Sequence, residues 1–350
     1  MPVSTAAAAL AAPRPRNVAP LPLLEIVRCP RCLGRLDESG ETVTCGDCRQ
    51  AYPMTDGIPQ LFVPNDWAEG KLDVTDIVKA FYEETPFPNY DDLDSRDSLQ
   101  AKARRGIFAR LLDEQIAPEA LVVEFGCGTG QLTNFLGMGW RRRAVGADIC
   151  MNSLRLGKNF RDRFGIVNAD FTQMNLFRPA LAQASVDLVV SNGVLHHTAD
   201  PEGAFRSILA TLRPGGHIVV GLYNWLGRLP TLWRRRLIEA FGERLAALDS
   251  RLRAGTLAKG RSDAWFRDQY QHPHESRHSM DEVLRWFATN RVDFVSSIPT
   301  VGDVEFEDDE PLFAAHRVGS RLDRLSTELE MLLSGGRDGG LFIMIGRKRG

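Results

Sequence analysis

Residues 123–130 read V-E-F-G-C-G-T-G. One acidic residue and three glycines at every second position separate the apolar run Leu121-Val122-Val123 from the helix-compatible run Gln131-Leu132-Thr133-Asn134-Phe135-Leu136. Strand, glycine turn and helix, in that order, form the layout of a nucleotide site, where bare backbone approaches the ligand at a helix N-terminus. A glycine-rich loop alone also serves dinucleotides, so residues further along decide which nucleotide it holds.

Those residues come in a consistent order. A-V-G-A-D-I-C (144–150) reads as a second strand ending in Asp148, which stands 24 residues beyond Glu124. That is the usual distance to an acid that binds ribose hydroxyls. I-V-N-A-D-F (166–171) reads as the edge of a third strand carrying Asp170. S-V-D-L-V-V-S-N-G-V-L-H-H (185–197) is a buried, β-branched strand ending in Asn192-Gly193. Asp200-Pro201 supplies the N-cap and first position of a helix expected to end at R-P-G-G (213–216). H-I-V-V-G-L-Y (217–223) follows as the fifth strand. A helix over 279–290, a strand over 292–299, a helix over 321–334 within a polar, acidic insertion and a last strand over 340–348 close the fold.

This series resembles the class I S-adenosylmethionine-dependent methyltransferases, in the type 11, UbiE-like group that carries E-F-G-C-G-T-G, L-H-H and L-R-P-G-G, over about residues 105–225. NAD enzymes of this layout usually space their glycines G-x-G-x-x-G, whereas here the spacing is G-x-G-x-G. The resemblance implies an α/β, Rossmann-like sheet of seven strands with helices on both faces. It further implies that Gly126, Gly128 and Gly130 let the backbone approach the methionine part of the cofactor, with Cys127 packing inside the loop. Glu124 would orient the loop and the cofactor's ammonium. Asp148 would take the ribose hydroxyls and Ile149 pack on adenine. Asp170 would meet the adenine amino group with Phe171 beside it, and Asn192, Gly193 and Val194 would line the sulfonium side.

Four of the six cysteines, Cys29, Cys32, Cys45 and Cys48, form two C-x-x-C knuckles; the other two are Cys127 and Cys150. Two knuckles facing across a short hairpin place four thiolates for a closed tetrahedral zinc site, structural because it has no open position. A segment this small cannot fold on its apolar core alone, and zinc would stabilise it. With L-E-I-V-R-C-P-R-C, C-G-D-C, A-Y-P and D-G-I-P-Q-L, residues 21–64 resemble the zinc ribbon found alone as a small activator of methyltransferases and fused in front of many bacterial ones.

The 350 residues carry a net charge of −2, so there is no global basic footprint for nucleic acid. The ribbon has four arginines (28, 31, 35, 49) against six acids (25, 37, 38, 41, 47, 56), which makes it a poor phosphate binder and argues against an RNA substrate. No apolar run is long enough for a transmembrane helix. Residues 1–20 are Ala- and Pro-rich without the basic start of a signal peptide. They are expected to be a flexible tail of a cytoplasmic enzyme.

Substrate choice is expected outside the nucleotide core, 106–224. Residues 65–105 carry Phe81, Tyr82, Phe87 and Tyr90 among prolines, a candidate lid or an ordinary packing helix. Residues 225–278 read as a helical cap. In it Trp233, Leu237, Ile238, Phe241, Leu245, Leu248 and Leu252 recur at helical spacing, and residues 225–261 hold nine Lys/Arg against three Asp/Glu. A basic helix over 231–253 could cover a core, cap an anionic substrate, or touch a lipid surface or RNA. Five of the seven histidines fall in two short segments, His196-His197 and His272, His274 and His278. His197 or His196, then His272 or His274, are the candidates for taking a proton from an acceptor. A metal on His272, His274 and Glu275, or a loop whose histidines satisfy backbone groups, are the alternatives. The expected reaction is methyl transfer to a small or lipid-like metabolite at oxygen, nitrogen or carbon. An RNA methyltransferase and a cofactor-holding protein without activity are the rival readings.

Overall fold

The computed structural model describes residues 22–67, 73–90, 93, 95–253, 259–302, 309–334 and 337–350. The expected N-terminal tail lies outside the described residues, as does much of the acidic insertion before residue 309.

The core strands are β5 (Leu121–Phe125), β6 (Arg143–Asp148), β7 (Ala169–Met174), β8 (Val186–Asn192), β9 (Leu212–Tyr223), β10 (Val292–Ile298) and β11 (Leu341–Lys348). Their spatial order is β7-β6-β5-β8-β9-β11-β10. The pairs from β7 to β9 are parallel, and β11 is antiparallel to both neighbours. Runs such as Leu121-Val122-Val123 and Leu188-Val189-Val190 are buried on both faces, as helices on either side of a parallel sheet require.

The sheet has eleven strands, a correction to the expected seven. The ribbon's strands β1 (Leu36–Ser39), β2 (Thr42–Cys45), β3 (Ala51–Thr55) and β4 (Ile58–Leu61) continue it beyond β7. β4 pairs parallel with β7, Gln60 opposite Gln173 and Leu61 opposite Met174. The Thr172 hydroxyl donates to the Pro59 carbonyl at 3.0 Å, and Ile58 joins Phe171, Leu154, Met151 and Cys127 in one buried cluster. An exposed sheet edge presents unpaired backbone groups, and the ribbon covers this one.

Two boundaries move. The third strand begins at Ala169, three residues later than read from sequence, and the helix Pro201–Thr211 ends before R-P-G-G, which lies inside β9. Asp200 caps that helix by accepting from the Gly203 N–H at 2.9 Å. The basic segment 231–253 is not one helix: Leu229–Phe241 stops at Gly242, and short turns follow. Its expected apolar face is largely in solvent, with Trp233 63% and Phe241 73% exposed, while Ile238 is buried.

Candidate active site

The C-terminal ends of β5, β6 and β8 open onto one cavity of about 890 Å³. Glu124, Gly126, Cys127, Gly128, Asp148, Ile149, Asn192, Gly193 and Val194 all line it. The loop after β5 needs glycine for space as well as for backbone angle. A Cβ on Gly128, at φ +52°, would stand 2.2 Å from the Phe87 carbonyl oxygen, and one on Gly130, at φ +70°, 2.2 Å from the Phe171 ring. The Phe87 carbonyl is there because residues 87–90 clamp the loop. The Thr129 hydroxyl donates to the Pro88 carbonyl and the Tyr90 hydroxyl to the Thr129 carbonyl. Glu83, in the last turn of the helix Thr75–Glu84, accepts from the Met151 and Asn152 N–H groups at the start of the helix Met151–Arg163. The lid segment is thus fastened to the nucleotide core.

Asp148 holds the loop from the other side. Its carboxylate accepts from the Gly128 N–H and the Cys150 N–H, both at 2.8 Å. Burial pushes the Asp148 carboxyl above its usual range, against those hydrogen bonds. Burial also pushes Glu124 up to about 7, opposed by hydrogen bonding to Thr133 and assisted by the charge of Asp148. Two enclosed carboxylates with no basic partner among the described residues favour a cationic ligand. Cys127 is buried, and burial raises its thiol well above the usual value, so it packs and does not act as a thiolate.

Asp170 and Phe171 do not join this site. In register Asp148 lies opposite Gln173, while Asp170 lies opposite Val145, three residues nearer the other end of the sheet. There Asp170 pairs with Arg143 and Arg161. Phe171 fills the space beneath the glycines and is 1% exposed. Met174 and Leu176, at the end of β7, line the cavity in their place beside Ile149. The three-residue shift of the strand accounts for the misreading.

The two histidine segments do come together. The His197 and His272 rings stack at 3.7 Å, and His196 lies 4.2 Å from His197 and 4.0 Å from Tyr223. Of the four candidates, His197 lines the cavity. Its Nδ1 faces the His274 carbonyl at 2.8 Å and must donate there, which leaves Nε2 as the acceptor. Burial drives His197 down to about 3 and His272 to about 2, and His196 well below 6.5. These are neutral imidazoles and weak bases. His196 sits behind the wall with neither ring nitrogen hydrogen-bonded among the described residues. The His274 Nε2 meets the Thr198 carbonyl at 3.2 Å. Glu275 pairs with Arg228 at 2.7 Å and is not placed as a metal ligand.

Trp265, Asp268 and Gln269, which the sequence did not single out, line the cavity together with Tyr82 of the candidate lid. Tyr82 and Asp268 are joined by a 2.8 Å hydrogen bond across 186 residues of chain, which no local pattern announces.

In the ribbon, the sulfurs of Cys29, Cys32, Cys45 and Cys48 lie within 4.8 Å of one another, and among the described residues this is the one such metal-capable cluster. The Cys29–Cys48 and Cys32–Cys45 separations are 3.6 and 3.4 Å. A tetrahedron of Zn–S bonds of about 2.3 Å has edges of roughly 3.8 Å, so the four sulfurs fit zinc. The Tyr52 hydroxyl, 3.1 Å from Cys29, supplies an outer hydrogen bond that orients the ligand.

A family profile for the methyltransferase domain matches residues 123–220, and one for Trm112p-like protein matches residues 21–57. An uncharacterised protein of Synechococcus sp., syc1184_c, is 25% identical over 50% of this chain and 47% of its own length. The malonyl-[acyl-carrier protein] O-methyltransferase of Methylovorus sp. is 32% identical over 35% of this chain and 43% of its own length. The chain thus spans about half the length of the curated relatives it matches. Among solved structures, PKMT2 from Rickettsia typhi superposes with a TM-score of 0.48 at 13% identity, covering 71% of this chain and 55% of that one. No helix among the described residues is long and apolar enough to cross a membrane. Residues 123–220, with the glycine loop and Asp148, are thus similar to the methyltransferase-domain family, and residues 21–57, with the four cysteines, to Trm112p-like proteins.

Proposed function

We propose that this protein transfers a methyl group from S-adenosylmethionine to a small-molecule acceptor bound in the same cavity. The observation that carries this reading is the cavity's mixed lining: nucleotide-loop residues share one space with Tyr82, Trp265, Asp268 and Gln269. Its volume, about 890 Å³, falls in the range of ligand sites that enclose whole small molecules. When bound, the cofactor supplies an electrophilic methyl on a positively charged sulfur.

The chain's own residues do the rest. Asp148 and the loop amides would hold and orient the cofactor, and Glu124 would meet its ammonium. The segment 87–90 and the histidine cluster close the walls and exclude water. Alignment of acceptor and methyl in a dry site is the main catalytic contribution. Zinc on Cys29, Cys32, Cys45 and Cys48 would hold the ribbon together and, through β4, support β7.

Calorimetric titration with S-adenosylhomocysteine tests the reading. Wild type should bind, and Asp148→Ala should bind at least about tenfold more weakly, the loss expected for charge-assisted hydrogen bonds. Absence of binding by wild type at millimolar ligand would refute it.

A further inference from the structure

The following inference rests on the methyl-transfer reading and concerns the acceptor half of the cavity. Asp268 and Gln269, on the helix Lys259–Tyr270, are 5% and 4% exposed, and both line the cavity. The buried Arg228 fixes the amide of Gln269. A guanidinium has only donors, so its 2.5 Å contact must be to the Gln269 carbonyl Oε1. The amide nitrogen is thereby turned to Asp268 Oδ2 at 2.9 Å and to the Tyr223 hydroxyl oxygen at 3.1 Å. Tyr223 accepts there, and its own proton is left for another partner. The Tyr82 hydroxyl donates to Asp268 Oδ1 at 2.8 Å. Each oxygen of Asp268 has thus taken one hydrogen bond and keeps capacity for a second.

The charge of Arg228 is matched by Glu275, with contacts of 2.7 and 3.3 Å. Four charged side chains line the cavity: the carboxylates of Glu124, Asp148 and Asp268, and the guanidinium of Arg105 at the exposed rim. S-adenosylmethionine brings one net positive charge. With the three carboxylates ionised the balance stays negative, and in an enclosed site of low dielectric that repels an anionic acceptor. Phe87, Phe108 and Trp265 add apolar, aromatic surface to the cavity.

We propose that Asp268 is the acceptor-binding and proton-accepting residue, and that the acceptor is a neutral or cationic hydroxyl or amine compound with an aromatic-sized apolar body, not a carboxylate or phosphate. In the transfer an uncharged hydroxyl or amine group of the acceptor, any positive charge lying elsewhere on the molecule, uses its lone pair to form the bond to the methyl carbon. The carbon–sulfur electron pair stays on sulfur, and the acceptor's O–H or N–H proton passes to the Asp268 carboxylate. Tyr223 donates to a second polar atom of the acceptor. Gln269 and Arg228 are positioning residues.

The test uses full-length protein saturated with S-adenosylhomocysteine and calorimetric titration with hydroquinone, tyramine, benzoate and phenyl phosphate. Hydroquinone and tyramine should bind, and the two anions should bind at least about tenfold more weakly. D268N should lower affinity for the protic probes by about tenfold or more, the loss of a hydrogen bond to a charged group, while S-adenosylhomocysteine affinity stays within about twofold. If D268N does not fold, Y82F, which removes one donor from Asp268, must weaken the same probes severalfold. The inference is overturned if benzoate or phenyl phosphate binds as tightly as hydroquinone and tyramine. It is equally overturned if D268N binds the protic probes like wild type, or if neither protic probe binds. Failure of wild type to bind S-adenosylhomocysteine would strike the methyl-transfer reading instead.

Discussion

Replacing Glu124 by glutamine separates the two sides of the cofactor site. In the empty cavity burial holds the Glu124 carboxyl at about 7, against 4.5 when exposed. Because the folded value is the higher one, the folded chain binds the extra proton between the two. Stability from this group is greatest below pH 4.5, falls as pH rises, and the full penalty is present above about 7. At roughly 1.4 kcal/mol per pKa step, the gap corresponds to about 3 kcal/mol. Water entering the cavity screens part of it, so this is a ceiling. The isosteric E124Q removes the penalty and can keep the contact with the Thr133 hydroxyl, 2.5 Å from Glu124 Oε2. Cofactor-free E124Q should therefore melt several degrees above wild type at pH 8, at roughly 2 °C or more per kcal/mol, and nearly level with it at pH 5. The same variant should bind S-adenosylmethionine more weakly at pH 8, since the cation loses its carboxylate. Paired thermal melts and titrations at the two pH values decide the matter. An equal gain at both pH values, or none at pH 8, would refute the argument that an unpaired buried carboxylate is kept for a cation.

Three further outcomes follow from the same geometry. Stripping metal with a strong chelator should lower the melting temperature and also weaken S-adenosylhomocysteine binding, because Ile58 of the ribbon packs against Phe171 under the glycine loop; unchanged cofactor affinity would uncouple the two. Gly128→Ala should abolish cofactor binding in a calorimeter while the chain still folds, since a Cβ there meets the Phe87 carbonyl at 2.2 Å and φ is +52°. His197, held at about 3, should show a constant Cε1 chemical shift between pH 5 and 8. Its folded value lies below the unfolded 6.5, so it contributes a loss of stability that grows as pH falls from 6.5 toward 3. A titration midpoint near 6 would return it to the role of general base.

What could be read from the chain was what is encoded locally. The C-x-x-C knuckles fix their own ligand geometry, and the order strand, glycine turn, helix and acid is set by neighbours in sequence. Asp170 shows where locality ends. V-N-A-D-F and F-T-Q-M alternate equally well, and only pairing with β6 shows that Met174, not Asp170, reaches the cavity. Asp268 carries no motif at all. It gains meaning from Tyr82, Gln269 and Arg228, brought together from distant parts of the chain. The exposed Trp233 and Phe241 run the other way: they keep their helical spacing within Leu229–Phe241, yet that face stays in solvent.

The continuity of ribbon and sheet also bears on how the chain is made. β4 leaves the ribosome before its partner: Leu61 pairs with Met174, about 110 residues later. At about 5–20 residues per second, that strand edge waits roughly 5–20 s for its neighbour. A metal-closed ribbon with four short strands can form in that interval and hold β4 extended. The nascent ribbon then presents a finished template against which β7 can register when it emerges. Metal supply during synthesis, and not merely in the finished protein, would set the yield of correctly paired chains.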